Sequence, residues 1–399
     1  MAQINKPNQY FNTKLYTGNG STQSITGVGF QPDWVWVKER SSTRGHRLFD
    51  VVRGDYNLLE SNSTNAEVNN TNQISLDADG FSTGSSVNTN SNGATYVGWN
   101  WSAGGTAPSK TYTVKVVSDS GNKYRFDDFG TSAVTLEISE GGTFRFDQAD
   151  SSNSGHPLRF STTSDGTHGG GSEYTTGVTT VGTPGSAGAY TEITVAASAP
   201  TLYYYCSVHS GMGGQANTPT TNSFSDFSGS IQSNISPNTT SGFSIVSYTG
   251  TGANATVGHG LGVAPKVVIL KDRDNSTSWV VGGDAIGTTD NNYLLLNETN
   301  ALDSASTGFQ SFSTTTVGLG SDTWFNGSSR NYIAYCFAEK KGFSKFGSYT
   351  GNGSTDGTFV YTGMRPAMVI LKPLDTKSIS CTPCSASDKL AFKIRLSAL

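Results

Sequence analysis

Residues 31–40 read QPDWVWVKER: a proline, an acidic residue, four apolar residues in a row, then a lysine. The wording returns at 264–273 as APKVVILKDR and at 365–372 as RPAMVILK, with Lys38, Lys271 and Lys372 in matching places. Each is a short apolar run led by proline and closed by a polar turn, which marks a β-strand.

Working outward, a tyrosine turn precedes every run: YTGNG at 16–20, YTGTG at 248–252 and YTGNG at 349–353. Lead-in strands recur as FSIVSY (243–248) and FSKFGSY (343–349), and aromatic strands close the modules as YVGWNW (96–101) and YIAYCFAE (332–339). The shared order of lead-in, turn, proline-led strand and lysine is an internal repeat. Nothing holds a helical period beyond about two turns. The expected fold is therefore all-β, made of repeated antiparallel β-sandwich modules.

The repeat is interrupted. Tyr248 and Tyr349 are 101 residues apart, but Tyr16 and Tyr248 are 232 apart, so the first interval carries 131 extra residues. The flanks SAGGTAPS and GGQANTPTTNS have linker composition. The expected organisation is a first module at 1–101, a linker at 102–109, an inserted domain at 110–217 and a linker at 218–242. A second module follows at 243–340, the start of a truncated third at 341–372, and a tail at 373–399 that matches nothing before it. That tail reads as a truncated or frameshifted end, and its Cys381 and Cys384 lack the second ligand pair of a zinc site.

Charge excludes several functions. Lys and Arg number 26 against 30 Asp and Glu, a net of −4, which supplies no field for nucleic acid or an anionic membrane. The start, MAQINKPNQYFNTK, lacks the apolar stretch of a secretory leader, and no apolar run is long enough to span a bilayer, so synthesis in a cytosol is expected. The four cysteines do not make a secreted disulfide framework. For a hydrolase the nearest carboxylate pair is Asp77 and Asp79 in SLDADGF, which read as turn residues. Five histidines cannot furnish the second copper cluster of an oxidase, and the chain is expected not to be an enzyme.

Within 110–217 the strand signals are TYTVKVVS, AVTLEIS, GTFRFD, HPLRFST, YTEITVA and TLYYYC, enough for a Greek-key sandwich. The last strand delivers Cys206 into a loop holding His209 and Met212, and an upstream loop holds His156. A trigonal copper site wants one thiolate and two imidazoles, with a weak axial thioether. Cys206 and His209 can reach one ion as the loop curls back, Met212 can take the axial place, and His156 can add the second imidazole. Zinc in the same donors, or a metal-free site, are the alternatives. His168, in DGTHGGG, reads as a turn residue, and His46 and His259 receive no role.

This pattern resembles the cupredoxin family, the blue copper proteins of plastocyanin and amicyanin type. Cys206-Ser-Val-His209-Ser-Gly-Met212 has the short ligand loop of the amicyanin-like members, and His156 matches their upstream ligand. The resemblance covers about a quarter of the chain and implies a cupredoxin-like Greek-key insertion holding copper. One departure is Pro157, where many members carry an asparagine that bonds across to the ligand loop. The phrases GVGFQPDWVWVKERS, YTGTGANATVGHGLGVAPKVVILK and YIAYCFAE with GFSKFGSYTGNGS resemble structural and tail-fibre-like virion proteins of marine bacteriophages.

That second resemblance implies a virion subunit assembled in the host cytoplasm. Its partners would be other virion proteins, further copies of itself, and a host-surface glycan or receptor. Arrayed β modules with neutral polar faces suit adhesion and assembly. The competing reading is a mononuclear copper electron-transfer protein.

Overall fold

The computed structural model describes residues 3–287, 289–375 and the strand Lys389–Leu396. They form two compact units, one from the residues up to Gly105 and from Pro237 onward, the other from Thr106–Ser236.

The first unit contains the repeats. In the first module the strands Phe11–Thr17, Thr95–Trp101, Trp34–Glu39 and His46–Asp50 lie side by side in that order. A smaller sheet is made of Gln23–Thr26, Gly80–Thr83 and Ile74–Asp77. The second module repeats the order with Phe243–Thr249, Asn331–Phe337, Val267–Asp272 and Val280–Gly282, and its smaller sheet is Ala255–Gly258, Thr316–Leu319 and Phe309–Phe312. All these pairings are antiparallel.

The correspondence extends to single atoms. Tyr16 stacks on Tyr96 with ring centroids 4.9 Å apart, and Tyr248 stacks on Tyr332 at 5.1 Å. Lys38 donates to the carbonyls of Glu39 and Ser42, and Lys271 to those of Asp272 and Asn275. After each tyrosine turn a backbone N–H, Asn19 or Thr251, donates to an asparagine oxygen, Asn90 or Asn326, at 2.9 Å.

The first two proline-led strands are apolar over 34–37 and 267–270 because both their faces are buried there. Val35 and Val37 enter a core with Ile25, Ile74, Phe81 and Tyr96 from their own module. Trp34 and Trp36 enter another, which holds Phe243, Ile269, Ile333 and Tyr335 of the second module. There Trp34 stacks on Tyr335 at 4.3 Å and on Phe243 at 5.5 Å. Each module is thus a two-sheet sandwich, and the pair is packed back to back around one aromatic core instead of being strung out as an array.

A buried polar network crosses between the modules. Arg53 pairs with Asp50 at 2.5 Å and with Glu67 at 2.9 Å, Tyr335 donates to Asp50 at 2.7 Å, and Arg273 meets Glu67 at 2.6 Å. Burial works against the Arg53 charge, but Asp50, Tyr335 and Glu67 outweigh it and hold the guanidinium above its usual pKa.

The third repeat keeps the strand order of the others by a substitution. Lys389–Leu396, from the tail that matched nothing, pairs antiparallel with Ser344–Lys345 and Tyr349–Thr350 on one side and with Met368–Pro373 on the other. It therefore occupies the place of the closing strand, with Tyr349 opposite Leu390 where Tyr16 is opposite Tyr96.

The second unit is a separate two-sheet sandwich. One sheet runs Asn122–Phe126, Ser109–Ser118, Thr143–Asp147, Tyr190–Thr194, Val178–Val181, and the other Leu136–Glu137, Gly214–Asn217, Leu202–Cys206, Leu158–Ser161. Each sheet contains one parallel pair. Phe126, Phe146, Phe160 and Tyr204 meet edge to face between the sheets at 5.1–5.6 Å.

The stretch 218–242, expected to be a linker, is folded. Phe224–Asp226 and Ser233–Asn238 form an antiparallel hairpin, and Phe224, Phe227 and Ile231 are buried. Phe227 stacks on Phe126, and Tyr112 donates to the Ser225 carbonyl at 2.8 Å. Serine-rich composition suggested a linker, but its few large apolar residues are spaced to reach this unit's core.

Candidate metal centre

Cys206 ends the strand Leu202–Cys206, and residues 207–213 form a loop back to Gly214–Asn217. The hairpin pairs Tyr204 with Gly214, so the loop leaves and returns over a narrow base. Gly213 is needed there, since a Cβ at that position would overlap the Tyr204 carbonyl. On the other side of the cysteine strand, Leu158–Ser161 runs antiparallel with Leu158 opposite Cys206. This register carries His156, two residues earlier, to the same end of the sheet. Pro157 has no side-chain donor, yet its carbonyl accepts from Ser207 N–H at 3.1 Å and ties the two loops together.

The sulfur of Cys206 lies 3.7 Å from Nδ1 of His209 and 3.9 Å from Nδ1 of His156. The three donor atoms fall within 4.8 Å of one another. An ion about 2.3 Å from sulfur and about 2.0 Å from each imidazole nitrogen, in one plane, would put sulfur and nitrogen about 3.7 Å apart. The two sulfur–nitrogen separations therefore match those of a trigonal ion, and a thiolate with two imidazoles suits copper or zinc. Among the described residues no other group of three or more His, Cys, Asp or Glu offers such a set. Met212, three residues past His209, is buried, and its carbonyl accepts from Tyr124 N–H at 3.0 Å.

The surroundings favour ligand-competent forms. Burial first, and the neighbouring His209 second, hold the His156 pKa below its ordinary value, which keeps the imidazole neutral with a free lone pair. The His209 backbone N–H approaches the Cys206 sulfur at 3.4 Å, a contact that stabilises negative charge there. Burial, and after it Cys206, push the Tyr124 phenol well above its usual range, so it acts only as a neutral donor. It donates to the His156 carbonyl at 2.9 Å, and buried Gln148 donates to the same oxygen at 2.8 Å.

Tyr124 and Gln148 were not legible as site residues: each is a lone polar side chain on a strand or at its end, with no local motif. His168 lies in the turn Gly166–Gly169, as its glycine-rich setting suggested, but its Nε2 also lies 3.0 Å from the Cys206 carbonyl oxygen. His46 accepts the Trp36 indole N–H at 2.8 Å, and His259 accepts from Leu261 N–H, both away from the cluster. Asp79 accepts from the N–H groups of Gly27 and Gly29, the turn role expected of it. Cys381 and Cys384 lie outside the described residues.

Fold and site together define an all-β protein with an inserted sandwich that carries a Cys–His–His cluster. The chain belongs to the family described as a domain of unknown function (DUF7483), matched over residues 6–127 and 214–380. The matched stretches omit 128–213, where His156, Cys206, His209 and Met212 all lie. No curated protein and no solved structure matches the chain.

Proposed function

We propose that the protein is a phage virion structural subunit, of a tail fibre or appendage, whose inserted sandwich is a cupredoxin-like module for a type-1-like copper ion. His156, Cys206 and His209 would hold the ion, with Met212 over the axial position. Bound copper would supply one-electron chemistry or simply clasp the two loops. The observation that carries the metal reading is the pair of sulfur–nitrogen separations, 3.7 and 3.9 Å, close to those of a trigonal ion. The virion reading is supported by the back-to-back modules, whose shared aromatic core makes a stiff scaffold, and by the sequence resemblance. The family match skips 128–213, the part of the second unit that holds the four donor residues.

Copper(II) titration of the full chain tests the site. One equivalent should produce strong visible absorption from a thiolate-to-copper bond, and zinc should bind without colour. An absence of uptake would remove the metal reading. Light scattering of the same preparation should give a multiple of the chain mass, as a virion subunit requires, and a strict monomer would count against that role.

A further inference from the structure

We infer that the turn at 163–171 is the brace of the ligand loop and that His168 is a positioning residue for Cys206, an inference that rests on the metal reading above. This turn grips the strand end at Cys206 and the loop 207–213 at one point each. Nε2 of His168 lies 3.0 Å from the Cys206 carbonyl oxygen, and Asp165 accepts from Gly211 N–H at 2.8 Å. A carbonyl oxygen only accepts, so the imidazole carries its proton on Nε2 and donates. From the opposite side Lys123 donates to the Gly211 carbonyl and Tyr124 N–H to that of Met212. The far end of the loop is thus held by three residues, and the Cys206 carbonyl by His168.

The turn is stiff enough to act as a template. Asp165 and Gly166 both adopt left-handed backbone, φ 58° and 56°, a conformation that costs a non-glycine residue energy. Gly166 lies against the ring of Tyr205, where a Cβ would press into three ring atoms. His168 meets the same ring edge-on with centroids 6.4 Å apart. The turn is therefore seated on the residue next to Cys206. Its hydrogen bond to the Cys206 carbonyl restricts rotation of that peptide and so the direction in which the thiol leaves the backbone.

His168 itself is exposed. Exposed side chains seldom contribute more than about 0.5 kcal/mol to stability, so a stabilising role alone predicts a silent substitution. Groups that orient a metal ligand behave differently: their loss typically weakens metal affinity about 10–100-fold.

Copper(II) and cobalt(II) titrations of the full chain, followed by absorption, separate these roles. His168→Ala should lose about 10–100-fold in affinity and shift the thiolate-to-metal band, with an unchanged unfolding midpoint. His168→Gln keeps an N–H donor and should regain most of the affinity and the original band. If the unsubstituted chain binds and His168→Ala matches it in affinity and spectrum, the brace is wrong while the metal reading survives. If the unsubstituted chain takes up neither ion, both fall together.

Discussion

Cys206 and Cys336 are both buried and both free, yet they stand in opposite chemical surroundings. Cys336 sits in the strand Asn331–Phe337, between the sheets of the second module, among Val246, Val268, Leu270 and Val317. Burial there pushes its thiol up to about 12, and it behaves as a small apolar side chain. Cys206 is equally inaccessible but ends its strand, where two imidazole nitrogens and a backbone N–H lie within 3.4–3.9 Å of the sulfur. Depth does not separate the two. Position along the strand does: mid-strand neighbours are packing residues set by the ladder, whereas a strand end faces loops that can carry polar side chains.

The largest expected effect comes from exchanging the two residues' fates. Cys206→Ser should abolish the visible absorption of the copper-loaded chain. Cys336→Ser should leave that band intact and lower stability by about 1–3 kcal/mol, because it buries a hydroxyl among apolar groups. A band that survives Cys206→Ser, or disappears with Cys336→Ser, would break the comparison.

Trp34→Ala sharpens the packing side. Trp34 is fully buried against Tyr335, the neighbour of Cys336, so its truncation should cost about 3–5 kcal/mol in denaturant unfolding. Copper affinity should not change, because the proposed metal ligands belong to the other compact unit.

The smallest effect is electrostatic. Burial lowers Lys271 to about 8, with Asp272 partly opposing it. The folded state therefore sheds this proton before the unfolded chain does. Stability from this group should rise between about pH 8 and the unfolded lysine value near 10.4, and be flat below. The unfolding free energy measured across that window should rise more steeply with pH, or fall less steeply, for the unsubstituted chain than for Lys271→Met. Equal slopes would mean that the buried ammonium carries no such linkage.

Local pattern accounts for much of what was legible. The three proline-led runs, their tyrosine turns and the closing strands appear in the sequence because strand periodicity and turn chemistry are short-range properties. Cys206, His209 and Met212 were legible for the same reason: three donors in seven residues on a strand end must share one loop. The hairpin within 218–242 was missed because serine and asparagine dominate it, and only its buried phenylalanines betray the fold.

By itself, then, the sequence determined the all-β class, the repeat, the insertion and a loop rich in metal donors. His156 was legible too, as the upstream ligand of the loop; tertiary structure decided how it reaches the loop and which further group meets it. His156 joins through the register of Leu158 against Cys206, and His168 through a turn seated on Tyr205. It also decided that the two modules close on each other through Trp34 and Tyr335. Such contacts join residues far apart in the chain, and their partners are selected by the joint packing of whole sheets, which leaves no trace in a local window of sequence.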